Sequence, residues 1–143
     1  MKINKTHILL VEDNEGDIIL TIDAFEESKI DSKISVARNG QEALDFLYKK
    51  GSFSNVEKPD LILLDINMPI FNGHEVLIKI KEDPILKKIP VIMLTTSSNQ
   101  QDIDKAYENH ANSYITKPVE IQDFLDAILK IKEFWLQLTT LSE

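Results

Sequence analysis

Three carboxylates, a hydroxyl and an amine stand at the ends of apolar runs. Ile8-Leu9-Leu10-Val11 ends in Glu12-Asp13, Leu61-Ile62-Leu63-Leu64 in Asp65, Val91-Ile92-Met93-Leu94 in Thr95-Thr96, and Ser113-Tyr114-Ile115-Thr116 in Lys117-Pro118. Continuous apolar runs bounded by polar residues read as strands buried on both faces of a parallel sheet. In such sheets ligands bind beyond the carboxyl ends of the strands, so these side chains share one rim. Two like charges about 4 Å apart repel by roughly 4 kcal/mol at an effective dielectric of about 20, so clustered carboxylates take up a proton or bind a cation. An all-oxygen donor set favours a hard ion, Mg2+ or alternatively Mn2+. Mg2+ keeps open positions for a backbone carbonyl and a phosphoryl oxygen. With Lys117 and Thr95 converging on the same point, the rim is equipped for phosphoryl transfer. Asp65 is the natural nucleophile, and its attack gives an acyl phosphate. Thr95 can then hydrogen-bond one phosphoryl oxygen and Lys117 pair with another.

The elements that must position this rim follow from periodicity and punctuation. Strands are predicted at about 6–12, 33–37, 60–65, 90–95 and 113–116, and helices at about 15–28, 39–50, 73–82, 99–109 and 119–138. Ile18, Ile22 and Phe25, with Ile19 beside them, make an apolar stripe on the first helix, and Asn14 is its candidate N-cap. Asn39-Gly40 opens the second helix, which turns Ala43, Leu44 and Leu47 inward. Pro69 and Gly73 break the segment after Asp65, Asp83-Pro84 ends the third helix, and Ser98 or Asn99 caps the fourth. Strands alternating with helices imply right-handed βαβ units. The expected fold is α/β: a flavodoxin-like (βα)5 doubly wound sandwich with a five-stranded parallel sheet in the order 2-1-3-4-5. That order brings Glu12, Asp13 and Asp65 to one crevice.

The chain has 143 residues, suited to a single domain, and no cysteine, which excludes thiol catalysis, disulfides and zinc-thiolate sites. A formal net charge of −8 argues against a nucleic-acid partner. No apolar stretch approaches about 18 residues and the N-terminus lacks a signal-peptide pattern, so a cytoplasmic location away from the membrane is expected. His7, His74 and His110 share no metal-like spacing and read as ordinary surface or strand-edge residues. Taken alone, Asp65 could be a helix cap or a salt-bridge partner; Glu12, Asp13, Thr95 and Lys117 in register favour chemistry.

Together, Leu10-Val11-Glu12-Asp13, Leu63-Leu64-Asp65-Ile66-Asn67-Met68-Pro69, Asn72-Gly73, Val91 to Thr95 and Tyr114-Ile115-Thr116-Lys117-Pro118 resemble, in order and spacing, the receiver domain of two-component response regulators over essentially the full length. The resemblance implies that Asp65 is the phosphoacceptor. It implies that Asp13 ligates Mg2+ with Asp65 and the backbone carbonyl of Asn67, while Glu12 acts on the metal through water. Thr95 takes the role of switch hydroxyl, Lys117 of phosphoryl-binding amine and Tyr114 of switch aromatic. The Lys117-Pro118 bond is expected to be cis. Side chains at Asn67 and Ser97, two residues after the acceptor and the switch hydroxyl, are expected to set how fast water removes the phosphoryl group. Ile89 to Ser97, Ala111 to Val119, Phe134-Trp135 and the segment Glu82 to Lys88 carry a closer resemblance to stand-alone receivers of the cyanobacterial and bacterial phytochrome type.

From this follow a sensor histidine kinase, with a phytochrome as the candidate, as phosphoryl donor, and a readout surface on the fourth helix, fifth strand and fifth helix. Few residues follow that last helix, so no output domain is expected; the signal passes to another protein or a phosphotransfer domain. Phe124, Ile128, Ile131, Trp135 and Leu138, with Phe134 beside them, form an apolar stripe next to a second one, a wider band than one core contact needs. A homodimer through this extended C-terminal helix is expected. Two other functions compete. A Mg2+-dependent aspartyl-phosphate phosphohydrolase of the haloacid-dehalogenase type wants a second acid two residues after the nucleophile, where this chain has Asn67. A phosphorylation-independent interaction module has no need of the intact acidic set.

Overall fold

A computed structural model describes residues 6–27, 31–117, 122, 123 and 126. In chain order the elements are β1 (Thr6–Val11), α1 (Glu15–Glu27), β2 (Ser32–Ala37), α2 (Gly40–Leu47), β3 (Leu61–Leu64), α3 (Gly73–Glu82), β4 (Val91–Thr95), α4 (Gln100–Glu108) and β5 (Ser113–Thr116). Short 3-10 turns occupy Gly51–Phe53 and Leu86–Lys88. Five parallel strands lie in the order β2-β1-β3-β4-β5. This is the doubly wound sheet that the alternating pattern predicts. The expected helix at 119–138, Pro118 and the stripe residues Phe124, Ile128, Ile131, Phe134, Trp135 and Leu138 lie outside the described residues.

Alternation along the strands divides the core in two. Leu9, Val11, Ile62, Leu64, Val91 and Met93 pack on one face, against Leu44 and Leu47 of α2 and Val76, Leu77 and Ile80 of α3. Ile8, Leu10, Leu61, Leu63, Ile92 and Leu94 pack on the other, against Ile18 and Phe25 of α1. Burying one such aliphatic side chain stabilises by roughly 1.5–3 kcal/mol, so the three central strands are the rigid frame of the rim. Ile22 is only partly buried and Ile19 is 51% exposed, so the α1 stripe is narrower than its sequence suggests.

Asparagines start α1, α2, α3 and α4. Asn14 accepts from Asp17 N–H at 2.9 Å, Asn39 from Glu42 at 2.8 Å, Asn72 from Glu75 at 3.0 Å and Asn99 from Gln101 at 2.8 Å. At α3 the Glu75 carboxylate returns the contact to Asn72 N–H at 3.1 Å, completing a capping box. α2 stops at Leu47, three residues short of its predicted end, because Lys49 turns left-handed at φ +56°. Gly73 is required by close approach: a Cβ there would lie 2.2 Å from the Asp65 carbonyl oxygen. The start of α3 is thereby pressed against the tip of β3.

Two histidines correct the surface reading. His7 and His74 are buried, at 4% and 3% exposed. His7 lies within β1, where its Nε2 meets Ser35 Oγ at 2.8 Å and its ring stacks at a tilt on Phe46. His74 sits in the first turn of α3, where its ring reaches Asp102 of α4. Tertiary contacts, not local spacing, took them inside. Among the described residues no helix is long and apolar enough to cross a membrane.

Candidate functional site

The chain runs from β1 out to β2 and then back across to β3, so the sheet has its switch point between β1 and β3. Val11 pairs with Leu64 there, and the next residues, Glu12 and Asp65, leave the sheet side by side. Asp65 N–H still donates to Val11 O at 3.0 Å, and Glu12 N–H to Ala37 O at 3.0 Å. These ladder bonds hold both backbones as continuations of rigid strands, so the side chains they carry are placed by the core rather than by loop preference.

Glu12, Asp13 and Asp65 each offer a carboxylate oxygen within 4.8 Å of the other two. Glu12 and Asp65 are buried and Asp13 is exposed, so the cluster opens to solvent on one side. Burial pushes the Glu12 carboxyl up to about 7; the Lys117 hydrogen bond opposes this and the Asp65 charge reinforces it. Asp65 Oδ1 accepts from Ile66 N–H at 2.8 Å. A divalent cation would favour the ionised Glu12 carboxylate and so offset the upward push of burial, and the donors present are all oxygens, as a hard ion prefers. The residues therefore fit the cation that the acidic set calls for.

Lys117 arrives from β5. Its backbone N–H donates to Thr95 O at 2.7 Å, which carries the β4–β5 pairing one residue past the strand. Its Nζ donates to Glu12 Oε1 and, at 2.9 Å, to Asp17 Oδ2. Burial lowers the Lys117 pKa, but the bonds to Glu12 and Asp17 and the Asp65 charge outweigh that and raise it, so the amine stays charged. Asp17 is a site residue that the sequence does not announce: one acid in a first helical turn reads as a partner of the helix dipole. It shares the amine with Glu12 and steadies it over the cluster.

Thr95 is fully buried at the end of β4. β3 and β4 pair with Leu64 opposite Met93, so Asp65 and Thr95 leave neighbouring strands at the same edge. Thr95 Oγ1 accepts from Ser97 N–H at 3.4 Å and keeps its own proton for another acceptor. Tyr114 lies one strand further along, half-buried against the core, and its Oη donates to Ser97 O at 2.8 Å. The Ser97 hydroxyl is not directed at the carboxylates: it donates to Asp102 Oδ2 at 2.6 Å. Asn67 lies exposed in the loop after β3. That loop carries a second constraint, since Ile70, 67% exposed, takes φ +71°. Glu12, Asp13, Asp65, Thr95 and Lys117 are thus brought to one edge, with Tyr114 joined to it through Ser97. Pro118 falls outside the described residues.

Comparison with known proteins agrees with this geometry. Residues 8–129 match the family model of the response regulator receiver domain. The chain is 43% identical over 134 residues to the response regulator Rcp1 of Synechocystis sp., covering 94% of this chain and 91% of that protein. It is also 43% identical over 131 residues to the probable methanogenesis regulatory protein FilR2 of Methanothrix harundinacea, covering 90% and 83%. Among solved structures, the phosphorylated cyanobacterial phytochrome response regulator RcpA superposes with a TM-score of 0.82 at 44% identity, covering 93% of this chain and 95% of that one. The Mn2+-bound form of Rcp1 superposes with a TM-score of 0.80 at 43% identity, covering 92% and 94%.

Proposed function

The chain belongs to the response regulator receiver family, and on that premise we propose that it is the phosphoacceptor of a two-component system, taking a phosphoryl group onto Asp65 from a sensor histidine kinase. The observation that carries this reading is the convergence of Glu12, Asp13 and Asp65, with carboxylate oxygens within 4.8 Å of one another, beneath the charged Lys117 amine. In the transfer, an Asp65 carboxylate oxygen forms a bond to phosphorus while the phosphorus–nitrogen bond of the kinase phosphohistidine breaks. The electron pair leaves with the imidazole, and Asp65 becomes an acyl phosphate. Glu12, Asp13 and Asp65, with the Asn67 carbonyl, would hold Mg2+; when bound, it neutralises charge on the cluster and on the transferring oxygens. Lys117 supplies a fixed positive charge and Thr95 a hydroxyl proton to phosphoryl oxygens. Asp65 is buried on a strand tip, so its reacting oxygen needs little reorganisation.

The phosphoryl group adds about −1.5 to −2 charges at one point, which biases a two-state equilibrium of the edge that carries Thr95 and Tyr114. The message leaves over α4, β5 and the helix expected after it, to a partner protein or a phosphotransfer domain. The likeness to Rcp1 and RcpA supports a phytochrome kinase as donor. Ser97 and Asn67 are proposed to tune the lifetime of the acyl phosphate. A homodimer through the apolar stripe from Phe124 to Leu138 belongs to the same proposal and rests on sequence pattern; light scattering of the full chain tests it. Phosphotransfer from a radiolabelled histidine kinase tests the central reading. Asp65→Ala is expected to lose all transferred label, and label retained in that variant overturns the assignment.

A further inference from the structure

Ser97 is held through all three of its polar groups. Its N–H donates to Thr95 Oγ1 at 3.4 Å, its carbonyl accepts from Tyr114 Oη at 2.8 Å, and its hydroxyl donates to Asp102 Oδ2 at 2.6 Å. The other Asp102 oxygen, Oδ1, accepts from His74 Nε2 at 3.0 Å. A carboxylate has no proton to give when ionised, so the His74 proton on this bond sits on Nε2. The chain His74–Asp102–Ser97 therefore ties α3, the first turn of α4 and the loop after β4 to Thr95, at the edge that carries Asp65, and to Tyr114.

His74 is an expensive choice for a position that needs only volume. Its side chain is 4% exposed, and its Nδ1 has no partner among the described residues. A buried polar atom without a partner destabilises, whereas a leucine in the same volume carries no such cost. The compensating contact is the bond to Asp102. The hydrogen bonds from Ser97 and His74 in turn hold the Asp102 carboxyl below the usual range, so it remains an ionised, two-sided acceptor.

We propose that His74 and Asp102 are positioning residues: they fix Ser97 so that its carbonyl receives Tyr114 and its N–H meets Thr95, and thereby set how readily the edge takes up a phosphoryl group. The proposal deepens the reading of Asp65 as phosphoacceptor and rests on it. Neither His74 nor Asp102 touches the carboxylate cluster; they act through Ser97. A loop already held in place loses less conformational freedom when the phosphoryl group engages Thr95, so the occupied state is favoured.

The test uses the full chain and two readouts. One is the resonance of Tyr114 in protein labelled with fluorotyrosine; the chain has three tyrosines, and Tyr114→Phe assigns the signal. The other is the affinity for beryllofluoride in the presence of Mg2+. His74→Leu keeps volume and removes the donor, His74→Gln restores an amide donor, and Asp102→Ala removes the bridge at a side chain 31% exposed, where folding is least at risk. In His74→Leu and Asp102→Ala the resting Tyr114 resonance is expected to move towards that of an exposed tyrosine, and beryllofluoride affinity to fall about tenfold, the worth of a charge-assisted hydrogen bond. Mg2+ affinity measured alone stays at the wild-type level, and His74→Gln behaves as wild type. The proposal is overturned if Asp102→Ala leaves the Tyr114 resonance in place, or if His74→Gln fails as His74→Leu does, the result of a packing role. A wild-type protein that does not bind beryllofluoride refutes the phosphoacceptor reading instead, and the resting Tyr114 signal still decides the positioning role.

Discussion

At the β1–β3 end of the carboxyl edge, three carboxylates crowd together and Glu12 is pushed up to about 7. At the β4–β5 end, both oxygens of Asp102 have a donor and its carboxyl is held low. The first region is built from charges that repel until a cation or proton arrives. The second is already satisfied and keeps its shape without a ligand. One stores unfavourable electrostatics that binding relieves; the other transmits position. A signalling edge needs both, because a group that responds to phosphorylation must be coupled to groups that do not collapse when it changes.

The largest expected effect sets the two ends against each other in pH. Glu12 holds its proton more tightly folded, at about 7, than at its ordinary value of 4.5. Its contribution to stability is therefore present below pH 4.5 and is lost as pH rises through 7. A shift of that size is worth up to ~3 kcal/mol. In urea titrations with a chelator, stability is expected to fall over this window, and saturating Mg2+ is expected to flatten the slope. Asp102 has the opposite sign: its folded pKa is depressed, so its contribution is present above the ordinary aspartate value and is lost as pH falls below it. A metal-free protein whose stability is level from pH 4.5 to 7 would break the comparison.

Lys117 sharpens it next. Its amine lies between Glu12 and Asp17 with the side chain only 14% exposed. Lys117→Met leaves Glu12 buried without its cation, and removing one partner of a buried pair is costly. Glu12 escapes part of that cost by taking up a proton. The expected loss is about 1–3 kcal/mol at pH 8, shrinking towards pH 5, where wild type and variant both hold the proton. Denaturant midpoints at the two pH values check this; an equal loss at both would mean that Lys117 acts by packing its stem.

The unequal legibility of the two regions has the same physical origin. Glu12, Asp13, Asp65, Thr95 and Lys117 are readable because each directly ends a strand, and a buried strand writes itself as an apolar run such as Leu61 to Leu64. The caps Asn14, Asn39 and Asn99 are readable because capping is local. His74 and Asp102 are 28 residues apart and meet only because α3 and α4 pack on the same face of the sheet. A lone histidine has no period and no neighbour in sequence to betray that contact. Asp17 fails for another reason: its position in a first turn is already explained by the helix. Ile19 looks inward by spacing, yet α1 covers the sheet with Ile18 and Phe25 alone buried among its large apolar side chains, and the width of that contact is set by the sheet.

The smallest effect isolates burial as the variable. Glu15 and Arg38 form an ion pair at the same edge, as Glu12 and Lys117 do, and both pairs join residues far apart in sequence. The partners of the outer pair are 62% and 50% exposed, those of the inner pair 4% and 14%. In solvent the Coulomb gain is screened, and fixing two long side chains offsets most of what is left, so exposed pairs contribute at most ~1 kcal/mol. Arg38→Ala is expected to change stability by less than about 0.5 kcal/mol, and by less still in high salt, where the exposed charges are screened. Thermal unfolding in low and high salt checks both points. If Arg38→Ala cost as much as Lys117→Met, desolvation would not be what separates the two pairs, and the response of the inner cluster to a cation would need another cause.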